Sequence, residues 1–174
     1  MLVLLDVNGI LTRKVPKGGS SITTTTYDFV PREGVNEFIR DLSSVCTVGI
    51  YSSTTYKNIK ILLDALNIAI PIIMDRNCTL LDPDYAISTY DITSTRNVSI
   101  KATDTVKNLE RLWSHPFLNA DRKWNSSNTL LVEHDPVKTR FNDDKNVLIV
   151  QEYTEGCTET LADVLERIRS KIPL

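Results

Sequence analysis

The sequence predicts an α/β fold, with helices packed against a central, mostly parallel sheet. Short apolar stretches recur along the chain, and segments with helical periodicity separate them. Most of the apolar stretches run directly into polar or acidic residues, as buried parallel strands do at the edge of a sheet where ligands bind. The length of 174 residues suits one hydrophobic core, so we expect a single domain over residues 1–174.

The first dozen residues predict the central strand. An apolar run over residues 1–5 leads into Asp6, and Val7, Asn8 and Gly9 follow it. A continuous apolar run is typical of a strand that is buried on both faces. An acid at its end would lie at the sheet edge where α/β proteins bind ligands. Taken alone, Asp6 is better explained as a residue that caps the strand.

The other elements follow in order. Further buried strands are predicted at residues 45–51, 70–74, 129–132 and 146–150. Apolar residues at helical spacing predict helices that contain residues 35–42, 56–66, 103–113 and 161–172. Turn residues and β-formers predict a hairpin arm over 12–30, a small β insertion over 75–96 and a polar surface loop over 117–128.

Composition limits the classes of partner and compartment. The formal net charge of −2 argues against direct nucleic-acid binding and against general affinity for a membrane surface. No apolar run approaches the roughly 18 residues that a spanning helix needs. The three cysteines, Cys46, Cys78 and Cys157, are odd in number and lack metal-binding spacing. We therefore expect a reducing intracellular compartment, the nucleus or cytoplasm rather than an organelle.

Residues with the chemistry of phosphoryl transfer follow the predicted strands. In chain order they are Asp6 with Asn8, then Ser52, then Lys101, then Glu133 with His134 and Asp135. A carboxylate can attack phosphorus, a hydroxyl and an ammonium can neutralise phosphate oxygens, and carboxylates can hold Mg²⁺. Each residue alone has an ordinary explanation at a strand end or on the surface. Their order after successive buried strands favours one functional site.

The first motif resembles that of the haloacid-dehalogenase (HAD) superfamily, an apolar strand followed by Asp-x-Asp-Gly-(Thr/Val)-Leu. The resemblance implies a HAD-like Rossmannoid three-layer sandwich with a small β insertion and no large cap. It also implies that Asp6 is the nucleophile that accepts phosphate. The general acid/base of the family stands two residues later, where this chain has Asn8.

Further segments resemble the FCP/SCP, or NLI-interacting-factor, group of phosphoprotein phosphatases. They are Arg32-Glu-Gly34, Ile50-Tyr51-Ser52, Asp75–Thr79, Ile100-Lys101 and Val132-Glu-His-Asp-Pro136. The resemblance covers roughly residues 1–170 and implies that Ser52 and Lys101 bind phosphate, with Lys101 also catalytic. It implies Mg²⁺ as cofactor, held by Asp6, the backbone carbonyl of Asn8 and residues among Glu133, His134 and Asp135.

Two departures from the family pattern leave two functions open. Asn8 cannot donate or accept the proton that an acid/base transfers, and an imidazole at His134 is a poor ligand for Mg²⁺. The first function is an impaired, Mg²⁺-dependent phosphoserine/threonine phosphatase that acts on a phosphoprotein. The second is a pseudophosphatase that serves as a protein-binding or assembly module. A weaker third idea is a phosphotransferase for substrates with good leaving groups.

Overall fold

The computed structural model describes residues 1–18, 22–24, 27–81 and 105–172. Within these residues, five strands form one parallel sheet: β1 (Leu2–Leu5), β5 (Thr47–Tyr51), β6 (Ile72–Met74), β9 (Thr129–Glu133) and β10 (Val147–Ile149). Their order across the sheet is β10-β9-β1-β5-β6. The predicted α/β class and the predicted parallel sheet are confirmed.

Strand β1 lies at the centre of the sheet, and this explains its unbroken apolar sequence. Leu4 pairs with Gly49 of β5 on one side and with Leu131 of β9 on the other. All four residues of β1 are fully buried, because hydrophobic clusters cover both faces of the sheet. Because these strands are parallel, the carboxyl ends of β1, β5 and β9 meet at one edge of the sheet.

Two helices cover one face of the sheet and match the predicted apolar stripes. Helix α1 (Val35–Ser43) buries Val35, Phe38, Ile39 and Leu42, and helix α2 (Tyr56–Ala65) buries Ile59, Leu62 and Leu63. A short helix α3 (Glu110–Trp113) belongs to the cluster on the opposite face. No helix in the described ranges is both long enough and apolar enough to cross a bilayer.

The C-terminal helix α4 (Leu161–Arg169) packs beside α1 on the same face. It begins with a capping box, in which the Thr160 side chain accepts from the Asp163 backbone and the Asp163 side chain accepts from the Thr160 backbone. This reciprocal pair satisfies two backbone donors at the helix start. The helix predicted at this end of the chain is confirmed.

The predicted hairpin arm is present as a small antiparallel sheet. It consists of β2 (Thr12–Val15), β3 (Ile22–Thr23) and β4 (Asp28–Pro31), in the order β2-β4-β3. The arm is fastened to the loop after β1 by a hydrogen bond from Arg32 N to Leu11 O at 2.8 Å. Strand β2 therefore stands next to the carboxyl end of β1.

The prediction of a helix over 103–113 is wrong for most of the residues in that range that the structure describes. Thr105–Val106 forms strand β8, which pairs with β7 (Leu80–Leu81), and the helix begins only at Glu110. Val106 and Leu109 have helical spacing, but Val106 is buried as part of a strand and Leu109 as part of a turn. The rest of the predicted insertion, residues 82–96, lies outside the described residues.

The segment predicted as a polar surface loop, residues 117–128, is partly buried. The Asn119 amide donates to the carbonyls of Trp113 and Trp124 at 3.0 and 2.9 Å, and Asn119 Oδ1 accepts from Trp124 N at 2.8 Å. These bonds fold the loop inwards and place the Trp124 ring in the cluster under β9, with 7% of the residue exposed. The loop therefore covers one face of the sheet.

Replacing Trp124 by alanine is expected to lower the free energy of unfolding by about 3–5 kcal/mol, because a buried aromatic ring leaves a packed cluster. Phe117→Ala is the matched control, since Phe117 belongs to the same segment but is 86% exposed. The control should change the free energy of unfolding by less than about 0.5 kcal/mol. Urea unfolding followed by circular dichroism measures both values. Equal losses would contradict the burial of this loop.

Candidate active site

Asp6 lies at the carboxyl end of the central strand, where a sharp turn begins. Its backbone N–H donates to Val132 O at 3.2 Å, and its Oδ1 accepts from Val7 N at 2.8 Å. Gly9 continues the turn with a φ of 86°, a conformation that glycine adopts without strain. The residue is 5% exposed, so the carboxylate stands at the floor of the site.

Lys107 pairs with both of the buried acids at the floor of the site. Its side chain is fully buried, and Nζ lies 3.1 Å from Asp6 Oδ1 and pairs directly with Glu133 Oε2. Glu133 ends strand β9, next to β1, and is also fully buried. A buried charge is tolerated only when it is paired, and here one ammonium serves two carboxylates.

Sequence reasoning missed Lys107, and Lys101 lies outside the described residues. Lys107 directly follows β8, where its backbone N–H donates to Lys138 O at 2.7 Å and its carbonyl accepts from the Asn142 amide at 2.7 Å. The signal was present in Val106-Lys107-Asn108-Leu109, which matches the Val-Lys-Asp-Leu pattern at three of four positions. The predicted helix over the same residues concealed it.

Sharing one ammonium moves the pKa values of the two acids apart. Burial raises the pKa of Asp6, and the neighbouring Glu133 carboxylate raises it further. Burial would also raise the pKa of Glu133, but Lys107 and His134 lower it to about 2. Burial would lower the pKa of Lys107, yet the two carboxylates hold it above its usual range. Glu133 and Lys107 therefore stay charged at neutral pH.

Asn8 occupies the position of the acid/base in the first motif, and its side chain forms a hydrogen bond with the arm. Its Oδ1 accepts from the backbone N–H of Lys14 on β2 at 3.1 Å. A carboxamide neither releases nor takes up a proton near neutral pH. Asn8 lines the site and holds β2 against it.

The imidazole of His134 packs against the first turn. A Cβ placed on Gly9 would come within 2.6 Å of His134 Cε1, so only glycine leaves room for the ring. His134 Nδ1 lies 2.9 Å from Glu133 Oε1 and 3.9 Å from Asp6 Oδ2. Burial would lower the pKa of His134, but Glu133 and Asp6 raise it.

Hydroxyl groups after β5 form the facing wall. Ser52 is buried, its Oγ accepts from Thr54 N at 3.2 Å, and its hydroxyl opposes the rise in the pKa of Asp6. Ser53 Oγ lies 3.0 Å from Thr105 Oγ1 and accepts from Lys138 Nζ at 3.4 Å. The wall thus connects β5 to the residues that follow β9.

These groups surround a cleft of about 180 Å³. Its lining residues are Asp6, Asn8, Lys14, Ser52, Ser53, Thr54, His134, Asp135 and Lys138. Five of the residues singled out in the sequence therefore meet in one place. Lys14 and Lys138 were not anticipated, because an isolated lysine on a strand or a turn carries no recognisable pattern. Asp135 lines the cleft while its Oδ1 accepts from Val137 N at 3.0 Å.

Among the described residues, Asp6, Glu133 and His134 each offer a donor atom within 4.8 Å of the others. This set fits Mg²⁺ poorly. Mg²⁺ requires near-octahedral oxygen ligands, whereas an imidazole suits later transition metals. Lys107 already binds one oxygen of each carboxylate, and Glu133 Oε1 accepts from the His134 and Asp135 backbones at 2.8 and 3.3 Å.

Arg32 stands behind the cleft as a structural anchor. It is buried, its Nη1 donates to Ile10 O at 3.2 Å, and its Nη2 donates to the Glu159 carbonyl and contacts Cys157 Sγ at 3.5 Å. The guanidinium also lies over the Tyr153 ring, 5.3 Å from its centroid. Arg32 therefore ties the loop after β1 to the segment that leads into α4.

Comparisons with solved structures agree with this architecture. The structure of Fcp1, an essential RNA polymerase II CTD phosphatase, aligns with a TM-score of 0.57 and 12% sequence identity over 98% of this chain. Fission yeast Fcp1-R271A bound to beryllium fluoride aligns with a TM-score of 0.53 and 13% identity, also over 98%. The chain spans about half the length of each, 47% and 49%. At this identity the likeness shows a shared HAD fold.

The family comparison covers nearly the whole chain. The family model described as NLI interacting factor-like phosphatase matches residues 1–172. No curated protein matches the chain in a sequence comparison. The match includes the strand that carries Asp6 and both ion-pair partners around it, so the resemblance identified from the motifs is confirmed. The chain belongs to the NLI interacting factor-like phosphatase family.

Proposed function

We propose that this chain is a phosphoprotein phosphatase domain whose Asp6 accepts phosphate and whose hydrolytic step is impaired. One observation carries the proposal. A buried carboxylate with a nearby lysine and serine stands at the floor of a cleft, while the acid/base position beside it holds the amide of Asn8. By likeness to the CTD phosphatases, the substrate class is a phosphorylated serine or threonine in a protein segment.

Binding uses the wall of hydroxyls and the floor of the cleft. A phosphate group fits beside Ser52, which is predicted to bind its oxygens, while Lys107 holds Asp6 in place through Oδ1. Asp6 Oδ2 then faces the phosphorus atom. Sequence analysis assigned phosphate binding and catalysis to Lys101, whereas in this proposal Lys107 positions the nucleophile. Fixing the nucleophile in this way contributes to catalysis by orientation.

The first chemical step forms one bond and breaks another. Asp6 Oδ2 attacks phosphorus, and the bond between phosphorus and the ester oxygen breaks. A serine alkoxide leaves only if it gains a proton, and Asn8 has no proton to give. A phenolate leaves without that help, so aryl phosphates should phosphorylate Asp6 where phosphoserine does not.

The second step stalls for the same reason. Water must lose a proton to attack the phosphorus of the phosphoaspartate, and Asn8 cannot accept it. General acid–base catalysis contributes typically 10²–10⁴-fold. A single amide in place of a carboxylate therefore affects both halves of the reaction and leaves phosphate binding intact.

A specific observation also favours the second candidate function, a pseudophosphatase that binds protein. The Asn8 side chain accepts a hydrogen bond from the arm, and the His134 ring occupies the place expected for a metal ligand. Both groups serve the packing of the site. A chain that binds a phosphoprotein and does not release phosphate acts as a binding or assembly module.

Mg²⁺ belongs to the proposal as a weakly bound cofactor. When bound, it would neutralise phosphate oxygens. Asp6 is the main oxygen ligand that the described residues offer, and His134 supplies nitrogen where the ion prefers oxygen.

The native chain is expected to react slowly with an aryl phosphate and to hydrolyse a phosphoserine peptide negligibly. Mass spectrometry after incubation should find one added phosphate on Asp6, because formation of the acyl phosphate needs less proton transfer than its hydrolysis. Asp6→Asn keeps the shape and leaves Lys107 paired with Glu133, so it should fold and remain unmodified. Phosphopeptide turnover at about 1–10³ s⁻¹ would refute the impairment.

Asn8→Asp should raise aryl phosphate turnover at least tenfold, since it restores a carboxyl group at the acid/base position. The aspartate retains an oxygen that can accept from Lys14 N, so the arm should stay in place. Asn8→Ala removes that acceptor and supplies no acid, and it serves as the control without rescue. Absence of any gain in Asn8→Asp would favour the binding module.

His134→Asn should raise the affinity for Mg²⁺, because an amide oxygen replaces an imidazole nitrogen. Calorimetric titration of the native chain, His134→Asn and Asp6→Asn measures this. The native chain should bind weakly and Asp6→Asn more weakly still. Tight binding by the native chain that His134→Asn leaves unchanged would show that His134 is not at the metal position.

A further inference from the structure

The charges at the floor of the cleft do not favour an anion. Asp6 and Glu133 carry two negative charges, and Lys107 supplies one positive charge between them. The three groups therefore sum to −1 when all are ionised. A phosphate dianion that approaches Asp6 Oδ2 needs positive charge from elsewhere in the cleft.

Two lysines line the cleft above that floor. Lys14 extends from β2, and its backbone is fixed by the hydrogen bond to Asn8. Lys138 extends from the turn after β9, and its Nζ donates to Ser53 Oγ at 3.4 Å and to Thr105 O at 3.2 Å. Both lysines thus reach the cleft from segments that the structure holds in place.

The position of each ammonium indicates what it can contact. Lys138 Nζ lies against Ser53, the neighbour of Ser52, so it stands at the wall where phosphate oxygens are expected. Lys14 Nζ lies 5.4 Å from the centroid of the Tyr27 ring, at the side formed by the arm. A phosphate bound over Asp6 therefore has the Lys138 ammonium on the side of Ser53 and the Lys14 ammonium on the side of the arm.

We propose that Lys14 and Lys138 together hold the phosphate dianion in this cleft and that they do so without a divalent metal. The proposal rests on the proposed function, because it assumes that phosphate binds over Asp6. Charge-assisted hydrogen bonds from two ammonium groups supply the neutralisation that the floor lacks. Lys107 positions the nucleophile, and the lining lysines bind the ligand.

Calorimetric titration with inorganic phosphate in excess EDTA tests the pair. The native chain should bind phosphate, and Lys14→Gln and Lys138→Gln should each weaken binding about tenfold, the effect of losing one hydrogen bond to a charged group. Lys171→Gln is the matched control, because Lys171 is exposed near the end of α4 and does not line the cleft. Adding Mg²⁺ should change the native affinity less than twofold.

Lys138→Arg separates charge from packing, since Lys138 also contacts Ser53 and Thr105. The arginine variant should keep most of the affinity that Lys138→Gln loses, and melting followed by circular dichroism should show that all variants are folded. Equal losses in the two variants would assign Lys138 a packing role and overturn the proposal. Phosphate binding only in the presence of Mg²⁺, or unchanged binding in both glutamine variants, would also overturn it.

The phosphate-binding test of the two lysines does not depend on the reaction proposed for Asp6. A native chain that binds phosphate through both lysines but never forms a phosphoaspartate would overturn the proposed reaction and leave the lysine pair standing. If Asp6 is phosphorylated while both glutamine variants bind phosphate normally, the lysine pair would be overturned and the proposed reaction would stand.

Discussion

A buried ammonium between two buried carboxylates governs the rest of this structure. Asp6 follows β1, Glu133 ends the neighbouring strand β9, and Lys107 follows β8. The ion pairs therefore join the centre of the parallel sheet to a segment that is distant in sequence. Removing Lys107 from this cluster would leave two buried carboxylates without a counter-charge, which is far more costly than leaving the cluster intact. The Asp6 carboxylate, which is the nucleophile in the proposed reaction, is held in position before any ligand arrives.

Under the proposed function, the same cluster explains how the site can keep phosphate binding and lose hydrolysis. Positioning of Asp6 depends on Lys107, and neither Asn8 nor His134 takes part in that contact. A substitution at position 8 can therefore remove proton transfer without disturbing the nucleophile. A histidine at position 134 can alter the metal ligands while Glu133 keeps its backbone hydrogen bonds. Binding and turnover rest on different residues, and they can change separately.

Features that leave a pattern in the local sequence could be predicted, and features without such a pattern could not. Strand β1 was evident because burial on both faces requires an unbroken apolar run, and Asp6 and Ser52 were evident as polar residues at strand ends. Lys107 was missed because Val106 and Leu109 have helical spacing by coincidence. Trp124 was missed because its burial depends on the side-chain hydrogen bonds of Asn119, five residues earlier, and such contacts leave no periodicity in the sequence.

The close packing of His134 against Gly9 has a consequence for how such a site can arise. Any side chain at position 9 would collide with the imidazole, since even a Cβ would lie 2.6 Å from one ring atom. The positive φ of Gly9 independently disfavours other residues there. The two positions are therefore coupled. The imidazole at position 134 fits only beside glycine at position 9, and any larger residue there would also displace His134 from Glu133.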